Sequence, residues 1–454
     1  MNRFLFFAAL IILLGISIPF QGMSQNPIIQ TIYTADPAPI VYKDTLFLYT
    51  GHDEDKSTWF TMKDWHVFST VDMVNWTDRG SPISLETFTW AIKDAWAGQC
   101  VFRNKKFYFY VPVNQKNGKG MAIGVAVSDS PTGPFKDALG KPLVHSGNGD
   151  IDPTVFIDDD NQAFLYWGNP YLKYVRLNFD MISFTKDINS VSLSPDGFGI
   201  RNGDNKRASQ YEEGPWLYKR NSLYYLLYPA GGVPEHIAYS TAKSATGPWI
   251  YRDTIMPVIK KGGAFTNHPA IIDYKGKSYF FYHNGALPGG GGFNRSVCVD
   301  EFNYNDDGTI PEIKPTIDGV KPLQNLNPFK RTAAETIAWT QGVETAKSND
   351  NGIYLTEISD NDYIKIRSVD FKKGVKQFQV NLASLKDNSQ IEIRLDSLTG
   401  LILTSIPVKS TGDLKNWTTQ TFKIHNKVKG IHDLYFVFKG EGDNLMSLDW
   451  WQFN

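Results

Sequence analysis

Three carboxylates and one histidine, Asp36, Asp152, Glu213 and His268, stand at corresponding places in the first two thirds of the chain. Each is followed by proline, at once or after one glycine: Asp36-Pro37, Asp152-Pro153, Glu213-Gly214-Pro215 and His268-Pro269. A single Asp-Pro is an ordinary turn. Four ionisable residues in one recurring slot are not four independent turns, because buried and unpaired charges cost too much to be kept as packing. Carboxylates held close together push their pKa values apart, so one can donate a proton while another remains a base. The residue types therefore point to acid–base chemistry, provided that the fold brings the four together.

A repeat supplies that fold. Five short apolar strands end in tyrosine, at Tyr49, Tyr110, Tyr166, Tyr228 and Tyr282, separated by 61, 56, 62 and 54 residues. Counting back 13 to 15 residues from each tyrosine reaches Asp36, Ala97, Asp152, Glu213 and His268. The second copy, Ala97-Gly98, keeps a small residue and loses the functional side chain. About four short strands per unit, with no amphipathic helix between units, predicts an all-β, five-bladed β-propeller. Its innermost strands run along a central channel, so the starts of these strands converge. The same alignment puts Asp158-Asp159-Asp160-Asn161, which has the look of a calcium loop, in the hairpin-turn slot. Gly289 to Gly292 has no following Lys-Ser/Thr and reads as a flexible loop at the rim.

Composition narrows the function. With 454 residues and a formal net charge of −1, the chain is long enough for two units and has no electrostatic reason to bind nucleic acid. Aromatics make up 14% of residues, which suits strands and also suits sugar binding. Met1-Asn2-Arg3, the apolar run Phe4 to Ile18 and Gly22-Met23-Ser24 have signal-peptide anatomy over residues 1–24. The protein is therefore expected to be exported, periplasmic or extracellular, with no membrane attachment after cleavage. Cys100 and Cys298, far apart in apolar runs, are expected to be buried thiols.

The combination of Ala35-Asp36-Pro37, Asp150-Ile151-Asp152-Pro153, Glu213-Gly214-Pro215 and the repeats resembles glycoside hydrolase family 43, over roughly residues 30–315. The resemblance implies that Asp36 is the general base, that Asp152 orients the acid and tunes its pKa, and that Glu213 is the general acid. It implies inversion at the anomeric carbon, with the Asp36 and Glu213 carboxyls about 6.5–9.5 Å apart. His268 would support the site from the axis, or hold an ion through water. Trp96 would wall the sugar, Phe265 would line the pocket, and Arg295 would bond a substrate hydroxyl. No cofactor is required for this chemistry. The implied substrate is a plant cell-wall polysaccharide or oligosaccharide, xylan or arabinoxylan, cleaved as by a β-xylosidase or α-L-arabinofuranosidase. An endo-1,5-α-arabinanase and a non-catalytic carbohydrate-binding propeller are the alternatives.

The propeller domain is expected over residues 27–322, followed by a linker at 323–330. Residues 331–454 alternate apolar and polar side chains and predict a β-sandwich of jelly-roll type. Ala334-Glu335-Thr336, Asn361-Asp362-Tyr363-Ile364, Trp417-Thr418-Thr419 and Leu448-Asp449-Trp450 resemble a carbohydrate-binding module of family 6. The aromatics that grip a sugar in that family are replaced by Glu357 and Leu414, and Ala333 replaces one acid of its calcium pair. Glu335 and Asp449 remain as ligands for a structural calcium, and Asn444 as a sugar ligand.

Overall fold

The computed structural model describes residues 25–454 except 186, 204, 205 and 373. The expected signal peptide lies outside these residues. Among the described residues no helix is long and apolar enough to cross a membrane. Its regular elements are almost all β-strands, and its sheets follow one another in sequence.

Five antiparallel sheets come first, opened by the strands Thr34–Tyr42, Gln99–Arg103, Thr154–Ile157, Trp216–Arg220 and Ala270–Tyr274. Each opening strand pairs with the tyrosine-ending strand that the repeat identifies. Those second strands are apolar throughout, as in Phe107-Tyr108-Phe109-Tyr110, because both of their faces are buried. Four of the five hairpins close on two residues, Lys43-Asp44, Asn104-Lys105, Asn221-Ser222 and Lys275-Gly276. The first residue of each turn has positive φ, from 48° to 55°, as tight hairpins that follow strand twist require. In the third sheet Asp158 to Gln162 form a longer turn, closed by Asn161 N–H donating to the Asp158 carbonyl at 2.9 Å. Its aspartates serve as anchors, since Lys219 and Tyr224 donate to Asp158 at 2.9 and 2.6 Å.

The opening strands of successive sheets are neighbours, and the fifth lies against the first, so the five sheets form a closed circuit. The N-terminal segment seals it. Ile28 N–H donates to the Val297 carbonyl and Thr34 N–H to the Arg295 carbonyl, at 2.8 and 2.9 Å. Cys100 and Cys298 are both buried and unbridged.

Two further sheets, of six and five strands, share the second large apolar core, around Phe378, Phe436, Trp451 and Phe453. This unit is joined to the first by more than a tether. The short strand Thr336–Ile337 pairs with Trp76–Asp78 and extends the first sheet, and Leu326 bridges to Val369. Asn75 takes up both backbone groups of Arg367: its Nδ2 donates to the Arg367 carbonyl at 3.0 Å, and its Oδ1 accepts the Arg367 N–H at 2.8 Å. Asn75→Ala leaves both groups unpaired at the junction and should lower stability by about 1–3 kcal/mol, read as a drop in the urea midpoint. A loss under about 0.5 kcal/mol would mean that the junction contributes little.

Candidate active site

Asp36, Asp152, Glu213 and His268 line one cavity of about 610 Å³, together with Trp96, Phe265 and Arg295. The backbone aims the first two in the same way. Asp36 and Asp152 have φ of 54° and 57°, a left-handed conformation disfavoured for a side-chain-bearing residue and more so before proline. Asp36 also lies in a bulge, where the register shifts between Ala35 and Ala38. In the fourth sheet Gly214, at φ 50°, takes the left-handed position, and Glu213 precedes it. Asp152 accepts the Gly214 N–H at 3.1 Å, which fixes the two carboxyl residues to each other.

His268 bridges the site. Its Nδ1 lies 3.3 Å from Asp36 Oδ1 and its Nε2 3.2 Å from Glu213 Oε1. Burial opposes a charge on this imidazole, but Asp36, Asp152 and Glu213 outweigh it and push the pKa up to about 10. Burial together with the neighbouring Glu213 and Asp36 raises Asp152 to about 7, against the pull of His268. Burial also works to raise Glu213, yet its hydrogen bond to His268 and the imidazolium charge hold it below the usual range. Of the groups around Glu213, His268 and Asp152 are the two whose hold on a proton is strengthened. Asn169 Nδ2 donates to Glu213 Oε2 at 2.6 Å and orients it. The neighbouring Glu212 is taken up by ion pairs with Arg201 and Arg207, in agreement with the Gly-Pro register that selects Glu213.

Arg295 is buried and anchors the opposite wall. Its Nε and Nη2 grip Asp53 in a two-point pair at 2.9 Å each, and its Nη1 reaches Asp36 Oδ1 at 3.0 Å. Thr266 Oγ1 and Met62 Sδ take the remaining two N–H groups, so all five donors are engaged within the protein. A sugar hydroxyl must displace Thr266 or Met62 to be bonded by this guanidinium. His283 completes the support. Burial and the nearby Arg295 and His268 hold it neutral, with Nε2–H donating to the Thr266 carbonyl and Nδ1 accepting the Asp36 N–H.

The walls are aromatic. Trp96 is fixed by its indole N–H, which donates to the Phe60 carbonyl at 3.0 Å. Phe265 is 43% exposed at the mouth and meets Phe293 edge-on at 4.9 Å. The glycine loop beside them is held in place, since Tyr33 donates to the Pro288 carbonyl and Asn294 to the Glu54 carbonyl. A side chain at Gly292 would strike the Phe265 ring, which explains glycine there.

Glu235 also lines this cavity and was not among the residues expected from sequence. It is buried, accepts the Asn267 N–H at 3.0 Å, and is raised well above the usual range by burial and by Glu213. Asp53, Asn169 and Glu235 share an origin: they follow the repeat tyrosines by four, three and seven residues. Extending the repeat alignment past the tyrosine would have exposed the first two.

In the second unit, Glu335 and Asp449 border a separate cavity of about 410 Å³. Glu335 Oε2 is buried without a hydrogen-bond partner, and burial raises this carboxyl to about 8. An orphaned buried oxygen facing a second carboxylate fits a hard cation. Glu357 is exposed and lies beside Asn444, since Leu445 N–H donates to the Ile358 carbonyl at 2.8 Å.

The raised pKa of His268 makes a stability prediction. The folded state binds this proton more tightly than the unfolded chain does, so the contribution is complete below about pH 6.5 and is lost as pH rises through about 10. The melting temperature should therefore fall across that interval in wild type and fall less in His268→Asn; parallel curves would contradict the pairing.

The family model described as glycosyl hydrolases family 43 matches residues 24–310, and that of carbohydrate binding module family 6 matches residues 333–454. An arabinoxylan arabinofuranohydrolase of Bacillus subtilis is 31% identical over 95% of this chain and 92% of its own length. A xylosidase/arabinosidase of Bacteroides ovatus is 32% identical over 62% of this chain and 95% of its own. The solved structure of a family 43 arabinoxylan arabinofuranohydrolase from Bacillus subtilis, in complex with cellotetraose, superimposes with a TM-score of 0.81 at 29% identity, covering 95% of this chain and 97% of that one. The chain belongs to glycosyl hydrolase family 43, as an O-glycosyl hydrolase carrying a C-terminal carbohydrate-binding module of family 6.

Proposed function

We propose that the enzyme removes α-L-arabinofuranosyl side chains from arabinoxylan by direct displacement, with β-xyloside cleavage as a lesser activity. The observation that carries the chemistry is the single cavity holding Asp36, Asp152, Glu213 and His268. The choice of sugar is supported by the Bacillus subtilis and Paenibacillus polymyxa arabinoxylan arabinofuranohydrolases, each matched along 95% of this chain and so across both units. The architecture in this reading is a five-bladed propeller over residues 27–322, a linker at 323–330 and a jelly-roll sandwich over 331–454. Export after cleavage of residues 1–24 suits a polymeric substrate.

Glu213 acts as the acid. It is the most exposed of the three carboxylates, and its proton passes to the glycosidic oxygen as the bond to the anomeric carbon breaks. Asp36 takes a proton from water, and the oxygen of that water attacks the opposite face of the sugar. The imidazole that touches both residues limits the separation of the facing oxygens to about 9 Å, compatible with a water between base and sugar. The proton taken up by Asp36 returns to Glu213 by way of His268, whose imidazole touches both, and this resets acid and base for the next turnover. Trp96 and Phe265 offer apolar faces to the ring. Arg295 fixes the direction of Asp36.

In the C-terminal unit Glu335 and Asp449 would hold a calcium ion, which would neutralise two carboxylates and leave the chemistry of the propeller site untouched. Glu357 and Leu414 stand where a sugar clamp would need aromatic faces, so this unit serves mainly to brace the catalytic one.

Arabinoxylan and nitrophenyl pentosides test the reading. Glu213→Gln should lose about 10²–10⁴-fold in kcat on arabinoxylan and much less on a dinitrophenyl arabinofuranoside, whose leaving group needs no proton. Asp36→Asn, whose asparagine tolerates the left-handed backbone, should lose activity on both. The first sugar released should have the inverted configuration by proton NMR; retention, or no pentose release by wild type, would overturn the proposal. Chelation should lower the melting temperature of wild type more than that of Glu335→Gln, and equal shifts would remove calcium from Glu335.

A further inference from the structure

Outside the catalytic cavity, one cluster of metal-binding side chains stands on the first sheet. His52 is the next-to-last residue of the strand Thr45–Asp53, where the register shifts between Gly51 and Asp53, and Asp64 and His66 lie on the adjacent strand Met62–Thr70. Asp64 and His66 are two residues apart and share a face, and His52 reaches Asp64 from the irregularity in the pairing. The three side chains are partly exposed, at 22%, 23% and 14%. None of them lines the catalytic cavity.

The spacing is that of a ligand set. His52 Nδ1 lies 2.9 Å from Asp64 Oδ1, and His66 Nε2 lies 3.5 Å from Asp64 Oδ2. All three donor positions fall within 4.8 Å of one another. Around an ion bonded at about 2.0–2.1 Å, neighbouring ligand atoms of a tetrahedron lie roughly 3.3–3.4 Å apart, and the two measured contacts, made to the two oxygens of Asp64, are of similar size. The Asp64–His66 edge is too long for a good hydrogen bond, so the sheet rather than mutual attraction holds these groups apart. His66 Nδ1 is buried without a hydrogen-bond partner, which leaves Nε2, directed at Asp64, as the ring's functional nitrogen. Two imidazoles and one carboxylate select a borderline transition metal over calcium or magnesium, which prefer all-oxygen shells.

We propose that His52, Asp64 and His66 bind a divalent first-row transition-metal ion of the zinc class, with solvent completing its coordination. The ion would lock the strand ending in Asp53 to its neighbour. Asp53 holds Arg295, and Arg295 holds Asp36, so the site would brace the catalytic wall from outside the cavity.

Zinc titration of the tag-free full-length protein by calorimetry, paired with thermal unfolding, tests this. His52→Gln and His66→Gln should each remove one zinc equivalent and the accompanying rise in melting temperature. Glu213→Gln, which alters the other His-carboxylate cluster, should keep them. Unfolding in chelator and hydrolytic activity without zinc serve as controls that the two histidine variants fold. Loss confined to the histidine variants supports the site. Zinc binding that is absent in wild type, or equal in wild type and both histidine variants, overturns it.

Discussion

Five carboxyl groups, Asp36, Asp152, Glu212, Glu213 and Glu235, line one largely apolar cavity, and the fold tolerates them because Arg207, Arg295 and His268 supply opposing charge. Ionised groups taken out of water without partners would cost several kcal/mol each. Arg207 is taken up by Glu212, and Arg295 and His268 do not balance the four carboxyls that remain, so burial and mutual repulsion raise the proton affinity of Asp152 and Glu235. The same arithmetic explains Asp53, whose carboxylate engages the rest of the guanidinium and prevents Arg295 from being a loosely held charge. It also explains why His283, packed beside two cations, stays neutral and works as a hydrogen-bond spacer beneath Asp36.

Such a charge arrangement demands rigid backbone. The left-handed conformations of Asp36 and Asp152 cost of order 1–3 kcal/mol each, and the surrounding strands must impose them. Tight hairpins and doubly buried second strands provide that stiffness, and the aromatic walls keep water from screening the charges. Activity and stability are thus set by the same residues, most visibly at His268.

How much of this was legible in the sequence follows from where each residue lies relative to the repeat. The opening positions sit a nearly constant distance before the tyrosines, since a strand and a two-residue turn leave little room for variation, and they exposed Asp36, Asp152, Glu213 and His268. Beyond the tyrosines the spacing loosens, and Asp53, Asn169 and Glu235 follow theirs by four, three and seven residues, so only the first two stay near a common offset. Arg295 was visible as a candidate, but its partners were not, because Asp53 is 242 residues away in sequence. The strand Thr336–Ile337 was illegible for a different reason. Two residues have no periodicity, and only its partner Trp76–Asp78 makes it a strand.

The seal between the first and fifth sheets has a consequence for how the chain becomes a structure. Ile28 and Thr34 find their partners at Val297 and Arg295, so the first residues of the catalytic unit wait for almost the last. Until then the circuit is open, with the outer edge of the fifth sheet unpaired, and no complete site exists because Asp36 and Arg295 are on opposite sides of the gap. Long-range closures of this kind are slow and leave edges exposed to other chains. The C-terminal unit arrives later still and grips the first sheet through Thr336–Ile337 and Arg367, near the N-terminal segment that closes the circuit. It acts in effect as a clasp, fastening a circle that has only just been drawn shut.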